Sequence, residues 1–445
     1  MQNFKIHIKN TLILAYPVII GQLGYIMMGV VDSLMVGNLG ATPLAAAALA
    51  NSIFMVILVV GIGISFAITP LVAILVGAEK HSECGVIFRQ ALLVDMLSGL
   101  ILMSVVFIGT NFLAYLNQPE EVVTLARSYL NILGFSILPV MLFQTYKQFI
   151  EGLSVMRPAM ILTIIANFIN AFLNWIFIYG NLGFESMGLD GAGWATFGSR
   201  LFMGIGLMWF VMTSSNFKQY DVTFHFRKID YKVIKKILGI GLPSAFQYIF
   251  EVGAFSFAAV MIGWLGTKEL AAHQIAINLA SISFMCALGV SAAGSIRVGN
   301  AVGKQDIKEI RRAGFSAIFI GQVMMGSFGV LFIIFNNLLP SLYISDPAVI
   351  SMAATLLIIA SIFQIADGTQ AVGIGILRGL TDVKVPTIIT FVAYWILGLP
   401  IGYVLGFTLN MGVKGVWIGL LIGLTGSAIM LSLRFNHKSR QKIAI

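Results

Sequence analysis

Charge is scarce in this chain. Only 10% of its 445 residues are Asp, Glu, Lys or Arg, against about 25% in an ordinary soluble domain. Cysteine is nearly absent. Cys84 and Cys286 are far apart and the second lies inside an apolar run, which excludes a disulfide framework and a thiolate metal site. No HExxH, P-loop, GxSxG or CxxC occurs, so nothing argues for an enzyme or for ATP hydrolysis, and no cofactor is expected. Long polar stretches are missing as well, with one exception: SSNFKQYDVTFHFRKIDYKVIKK, residues 214–236.

What fills the chain is apolar: 58% of it is hydrophobic. Runs of about twenty such residues recur from end to end, the length a membrane-spanning helix needs. Continuous runs exclude the alternating pattern of a barrel. The start, MQNFKIHIKNTLILAYPVII, resembles a signal peptide, but no small-residue cleavage site follows, and we read it as an uncleaved first helix. Counting runs between polar breaks predicts twelve helices. They begin near Thr11, Leu44, Val86, Val122, Ala159, Gly191, Ile237, Ala271, Ala313, Val349, Pro386 and Met411. The expected fold is an all-α membrane protein.

Alternating the loops with the N-terminus inside places all but four of the 27 basic residues on one side; the exceptions are Arg127, Arg200, Lys268 and Lys414. The positive-inside rule then puts both termini in the cytoplasm of a multi-pass protein of the inner (plasma) membrane. The same distribution assigns the net charge of +9 to topology and the lipid bilayer rather than to nucleic acid. The chain also repeats itself. A constant offset of 226 carries Pro17 to Pro243, Gly37 to Gly263, Gly63 to Gly289, Gly77 to Gly303 and Gly180 to Gly406. Six helices per repeat give two six-helix bundles of the same orientation, related by a pseudo-two-fold axis along the membrane normal, with the substrate path between the halves. The expected organisation is an N-terminal lobe over 1–213, a cytoplasmic linker over 214–236 and a C-terminal lobe over 237–445.

Acids inside membrane helices are costly and read as functional by default. Asp32 in helix 1, Asp95 in helix 3, Glu251 in helix 7 and Asp367 in helix 10 are of this kind. Asp95 also admits a plainer reading, a helix-end charge near water, because Arg89 is only six residues away. Asn167, Asn170 and Asn174 form a polar stripe on helix 5, and Thr196 lies in helix 6. With Asp32 they offer hard oxygens of the kind Na⁺ prefers; the alternative is an interhelical hydrogen-bond cluster. The second half holds a different set: Gln247 with Glu251 on helix 7, Gln274 with Asn278 on helix 8, and Gln364, Asp367 and Gln370 on helix 10. The repeat does not copy the acids, since Asp32 maps onto Ala258 and Glu251 onto Tyr25. His273 is expected to be a polar neighbour of Gln274 rather than a metal ligand. Arg200 is expected to pair with Asp95 or Asp32. Gly419 and Gly423 read as helix packing. Some of the 33 Phe and 21 Met suit a pliable cavity for flat apolar cations.

Six stretches together resemble the multidrug and toxic compound extrusion (MATE) transporters, and among them the NorM-like bacterial branch. They are VDSLMVGNLG, GISFAITPLVAILVGA and ANFINAFLNWIFIYG in the first half, and GLPSAFQYIFE, AAHQIAINLASISFMCALGVSAAGSIRVGNAVG and DGTQAVGIGILRGLTDVKVP in the second. The resemblance covers nearly the whole chain. It implies two six-helix bundles around a V-shaped cavity, in a monomer. It also implies antiport of organic cations and drugs against Na⁺ or H⁺. The family's first-half cation site falls on Asp32, Asn170, Asn174 and Thr196. Its second-half acids fall on Glu251 and Asp367, with Gln247 and Asn278 as candidate neighbours. Two departures stand out: Asn174 replaces an acid found in some branches, and Phe363 stands where close relatives would have Tyr. The competing reading is a lipid-linked precursor flippase of the same wider superfamily. Such a protein should line its cavity with Arg and Lys, whereas the intramembrane charges here are mainly acids.

Overall fold

The structure is a computed structural model that describes residues 2–116, 118–222 and 229–441. Part of the expected linker, including Arg227 and Lys228, lies outside the described residues, as does Lys442. The described residues are helical and contain no strand, as the apolar runs require.

Among the described residues, twelve helices are long and apolar enough to span a bilayer. In chain order they are helix 1 (Lys5–Gly37), helix 2 (Ala41–Gly77), helix 3 (His81–Tyr115), helix 4 (Glu120–Gly152), helix 5 (Arg157–Tyr179) and helix 6 (Gly188–Thr213). Helix 7 (Tyr231–Gly263), helix 8 (Thr267–Gly303), helix 9 (Ile307–Ile334), helix 10 (Pro347–Gly379), helix 11 (Lys384–Thr408) and helix 12 (Val413–Lys438) complete the set. Most begin a few residues before the expected starts, because a helix continues past the apolar run that reveals it.

Some prolines mark where the helices are irregular, while Pro17 and Pro243 lie inside uninterrupted helices. A proline lacks the N–H that would bond the carbonyl four residues back, and its ring crowds that carbonyl. Helix 2 breaks between Ser65 and Ile68, around the residue four before Pro70. Helix 4 breaks at Ser136, between Phe135 and Ile137, and Phe135 is four before Pro139. Helix 11 carries Pro400 and relaxes into wider π-helical turns over Val392–Gly398 and Val404–Thr408. Its glycines let helix 12 approach closely: a side chain at Gly419 would collide with the Gly402 backbone.

Close contacts divide the chain into two units. One is Ile20–Ala245; the other is Met1–Ile19 with Phe246–Ile445. The cuts fall inside helices 1 and 7 and are themselves 226 residues apart. Each unit has its own apolar core. The first is built around Phe54, Leu58, Tyr129, Leu130 and Met141, the second around Ile262, Leu357, Phe363, Tyr394 and Trp417. In the first unit Gly63 of helix 2 lies against Ala245 of helix 7 so closely that a side chain would strike its backbone. In the second, Gly289 of helix 8 meets Ile19 and the Ala15 carbonyl of helix 1 in the same way. Gly63 and Gly289 are repeat equivalents, and so are Ala245 and Ile19. The sequence repeat is therefore expressed as matching helix crossings.

Candidate functional site

In the first unit, helix 1 brings Asp32 against helices 5 and 6. The Asn174 side-chain amide donates to Asp32 Oδ1 at 2.6 Å, and the Thr196 hydroxyl donates to Oδ2 at 2.9 Å. The Asn174 amide also reaches Asn170 Oδ1 at 3.2 Å. Asn170 and Asn174 are fully buried, Thr196 nearly so, and Asp32 is 9% exposed. Both carboxylate oxygens thus have a neutral donor, while the buried Asn174 Oδ1 and Asn170 Nδ2 have none. An unpartnered buried amide oxygen beside a carboxylate fits a small hard cation, which would use the oxygens of Asp32, Asn170, Asn174 and Thr196 together. The chemistry fits equally a proton carried on Asp32.

The asparagine stripe is split. Asn167 donates to the Gly24 carbonyl at 2.9 Å and to the Thr163 carbonyl at 2.8 Å. It ties helix 5 to helix 1 and does not reach Asp32. Arg200 corrects part of an expectation: it makes no close ion pair with Asp32 or Asp95, although it lies within electrostatic reach of Asp32. Its guanidinium donates to the Ser136 hydroxyl and lies 4.9 Å from the Phe54 ring centroid. The break in helix 4 explains this, because it presents Ser136 toward helix 6. The plain reading of Asp95 also fails. Asp95 is fully buried, not a helix-end charge at water. Oδ2 is 2.7 Å from the Thr145 hydroxyl, and Oδ1 has no partner.

The second unit gathers Glu251 of helix 7, Asp367 and Gln370 of helix 10, and Tyr394 of helix 11, all buried. The Gln370 amide lies 3.4 Å from Glu251 Oε1, and the Tyr394 hydroxyl donates to Gln370 Oε1 at 2.7 Å. Arg378 of helix 10 and Asp367 are within electrostatic reach of Glu251. Tyr394 and Arg378 are absent from the sequence-derived site. A lone Tyr in an apolar run gives no signal, and Arg378 belongs to the basic residues that alternating the loops places inside. Phe363 packs against Phe255 and Trp417 at 6.1 and 5.8 Å between ring centres, so the phenolic hydroxyls near this cluster are those of Tyr394 on helix 11 and Tyr248 on helix 7. Gln247 is buried one turn before Glu251. Asn278 does not join the cluster; it is exposed, like Gln274. His273 is buried and accepts from the Trp417 indole N–H at 3.1 Å, so its partner is Trp417 rather than Gln274.

The model of the MatE family matches residues 17–176 and again residues 243–404. The chain belongs to the MatE family. The two matches begin 226 residues apart, at Pro17 and Pro243, so the family unit occurs twice, in register with the internal repeat. The multidrug resistance protein MdtK of Yersinia pseudotuberculosis serotype O:1b is 33% identical over all of this chain and 98% of its own length. MdtK of Yersinia enterocolitica serotype O:8 is also 33% identical over the same shares. Among solved structures, the eukaryotic MATE transporter AtDTX14 superposes with a TM-score of 0.89 at 22% identity, over 98% of both chains. A MOP superfamily transporter from Pyrococcus furiosus gives 0.88 at 21% identity, over 99% of this chain and 97% of its own. At those identities the structural matches speak for the fold.

Proposed function

We propose that this chain is a secondary multidrug exporter, moving organic cations and drugs outward in exchange for Na⁺ or H⁺. The observation that carries this reading is the Asp32 cluster: a buried carboxylate on helix 1, held by Asn174 and Thr196, with a spare amide oxygen beside it. A carboxylate in apolar surroundings is costly when ionised and cheaper once it binds a cation. Ion occupancy then differs in free energy between conformations that bury the site and those that open it, and such a difference can shift a two-state equilibrium.

The multidrug resistance names of full-length relatives support the same substrate class. The basic-residue bias supports cytoplasmic termini in a bacterial inner membrane. The covalent halves, 1–213 and 237–445, each contribute one acidic cluster, and the working unit is a monomer. Cationic drugs are the cargo of the Glu251–Asp367 cluster, with Gln247 beside it. No catalytic chemistry is assigned. The flippase alternative is disfavoured because the buried clusters are acidic, the wrong sign for pyrophosphate head groups.

Proteoliposomes test the proposal. Ethidium efflux should follow an imposed Na⁺ gradient or an imposed pH gradient, and vanish when both are collapsed. Efflux indifferent to both gradients would overturn ion coupling.

A further inference from the structure

The inner third of helix 1 presents two faces. His7, Thr11, Ala15 and Val18 are buried. Arg297 of helix 8 holds that face: its guanidinium donates to the His7 carbonyl at 2.7 Å and to the Thr11 hydroxyl at 2.6 Å, and it pairs with Glu309 of helix 9 at 3.6 Å. A neighbouring face is open, with Ile19 at its edge, where it also meets Gly289 of helix 8. Lys5, Lys9, Leu12, Tyr16 and Ile19 recur at spacings of four and three, which places them on one stripe of the helix. With Ile13 they line a shallow groove of about 470 Å³. Leu12 is 44% exposed, Ile13 48% and Tyr16 39%. No acid lines the groove among the described residues.

We propose that this groove binds one anionic diacyl phospholipid. The phosphate sits between the Lys5 and Lys9 ammonium groups, and an acyl chain lies along Leu12, Ile13, Tyr16 and Ile19. Three features argue for that occupant. The charge is complementary, with two cations at one end and a floor below that is apolar apart from the Tyr16 hydroxyl. The length fits: from Lys9 to Ile19 the helix rises roughly 15 Å, about half of the ~30 Å hydrocarbon core and so one leaflet. Finally, the repeat-equivalent stripe of helix 7 does not reproduce the groove's residues. At the repeat-equivalent positions of helix 7, Lys9 becomes Lys235 and Tyr16 becomes Leu242, but Ile13 becomes Gly239, which removes part of the floor. Lysines at a membrane surface attract anionic lipid diffusely; a groove with a fitted floor holds one molecule. A lipid seated there would hold the outer face of helix 1 to the bilayer while Arg297 holds the inner face to helix 8.

The test uses the purified full-length chain in detergent with defined lipid added. Native mass spectrometry should show one dioleoyl-phosphatidylglycerol retained in preference to dioleoyl-phosphatidylcholine. The preference should fall by about fivefold for each lysine removed in Lys5→Gln and Lys9→Gln, and stay unchanged in Lys235→Gln. Equal losses from all three variants would overturn the site in favour of diffuse attraction. Equal competition by glycerol 3-phosphate, which has the anionic group without the chains, would overturn the lipid assignment. The unaltered protein supplies an independent measurement. A phosphatidylglycerol carrying a photoactivatable acyl chain should crosslink to residues 12–19 of helix 1, and crosslinks confined to other helices would refute the groove.

Discussion

Asp32 and Glu251 are both carboxylates buried in spanning helices, one in each half of a repeated chain, yet their neighbours differ in kind. Asp32 is met at hydrogen-bond distance by the neutral donors Asn174 and Thr196, with one cation, Arg200, in electrostatic reach. Glu251 sits among other charges, with Asp367 and Arg378 in reach and a looser amide contact to Gln370. A compact shell of neutral oxygens and amides suits a small ion of fixed size. A mixed cluster with aromatic neighbours suits a larger, variable cation. Duplication supplied the frame twice, and the two copies carry different chemistry because neither acid lies at its counterpart's position.

The largest effect expected is at Asp32. Asp32→Asn removes the charge but keeps the shape, so dye should still bind while gradient-driven efflux drops on the order of a hundredfold, the upper range of typical coupling energies. Parallel binding and proteoliposome assays separate the outcomes: loss of both would make Asp32 a drug-binding residue and erase the contrast with Glu251. Glu251→Gln and Asp367→Asn should each lower export of cationic dyes by about tenfold, because a buried charge loses its counter-ion. Resistance in growing cells at matched expression reads this, and wild-type resistance in both variants would remove the second-half site.

Within the first cluster, Thr196→Val leaves Asp32 Oδ2 without its donor. An unsatisfied buried acceptor costs about 1 kcal/mol or more, so ion affinity should weaken roughly fivefold, as read by the Na⁺ or pH dependence of efflux. Asp95 gives a control carboxylate. In Asp95→Asn the amide can donate to the Thr145 hydroxyl, and transport should remain within about twofold of wild type. A loss as large as that of Asp32→Asn would give the first unit a second coupling acid. The smallest effect belongs to Asp346, outside the spans. Hydrogen bonding to Lys268 and to the Ala348 N–H holds its carboxyl below the usual range. A lowered value contributes stability that is present above the ordinary carboxylate range of about 3.9 and is lost as pH falls through the folded value. Asp346→Ala should therefore leave transport unchanged and slightly reduce the sensitivity of thermal unfolding to acid below about pH 4.

Much of this was legible before the structure. The twelve helices follow from run length alone. That Asn170 and Asn174 share a face follows from a spacing rule, since they lie one turn apart; that Asp32 and Thr196 meet them is what the family resemblance implies. What remained hidden depends on helix rotation and on breaks. Asn167 obeys the same spacing yet turns to Gly24, because a stripe is wider than a site. Arg200 was assigned to an acid, but the break before Pro139 offers it a serine and a phenyl ring instead. Asp95 looked peripheral from its distance to Arg89 along the chain; only packing against helix 4 shows it fully enclosed. Tyr394 reaches Gln370 from a helix whose apolar sequence names no function.

Helix 11 has a consequence for how a repeated half acquires new contacts. Its repeat partner, helix 5, has 23 residues, and helix 11 has 25. A π-helical turn accommodates one residue more than the regular helix it interrupts, and helix 11 contains two such stretches. The offset of 226 carries Gly180, just past helix 5, to Gly406 inside helix 11, so the two extra helical residues are drawn from the loop that follows, which is shorter here. Tyr394 lies in the first of those stretches. Wider turns rephase the side chains along the span without any inserted residue, giving a duplicated half a route to new contacts without remaking the scaffold around them.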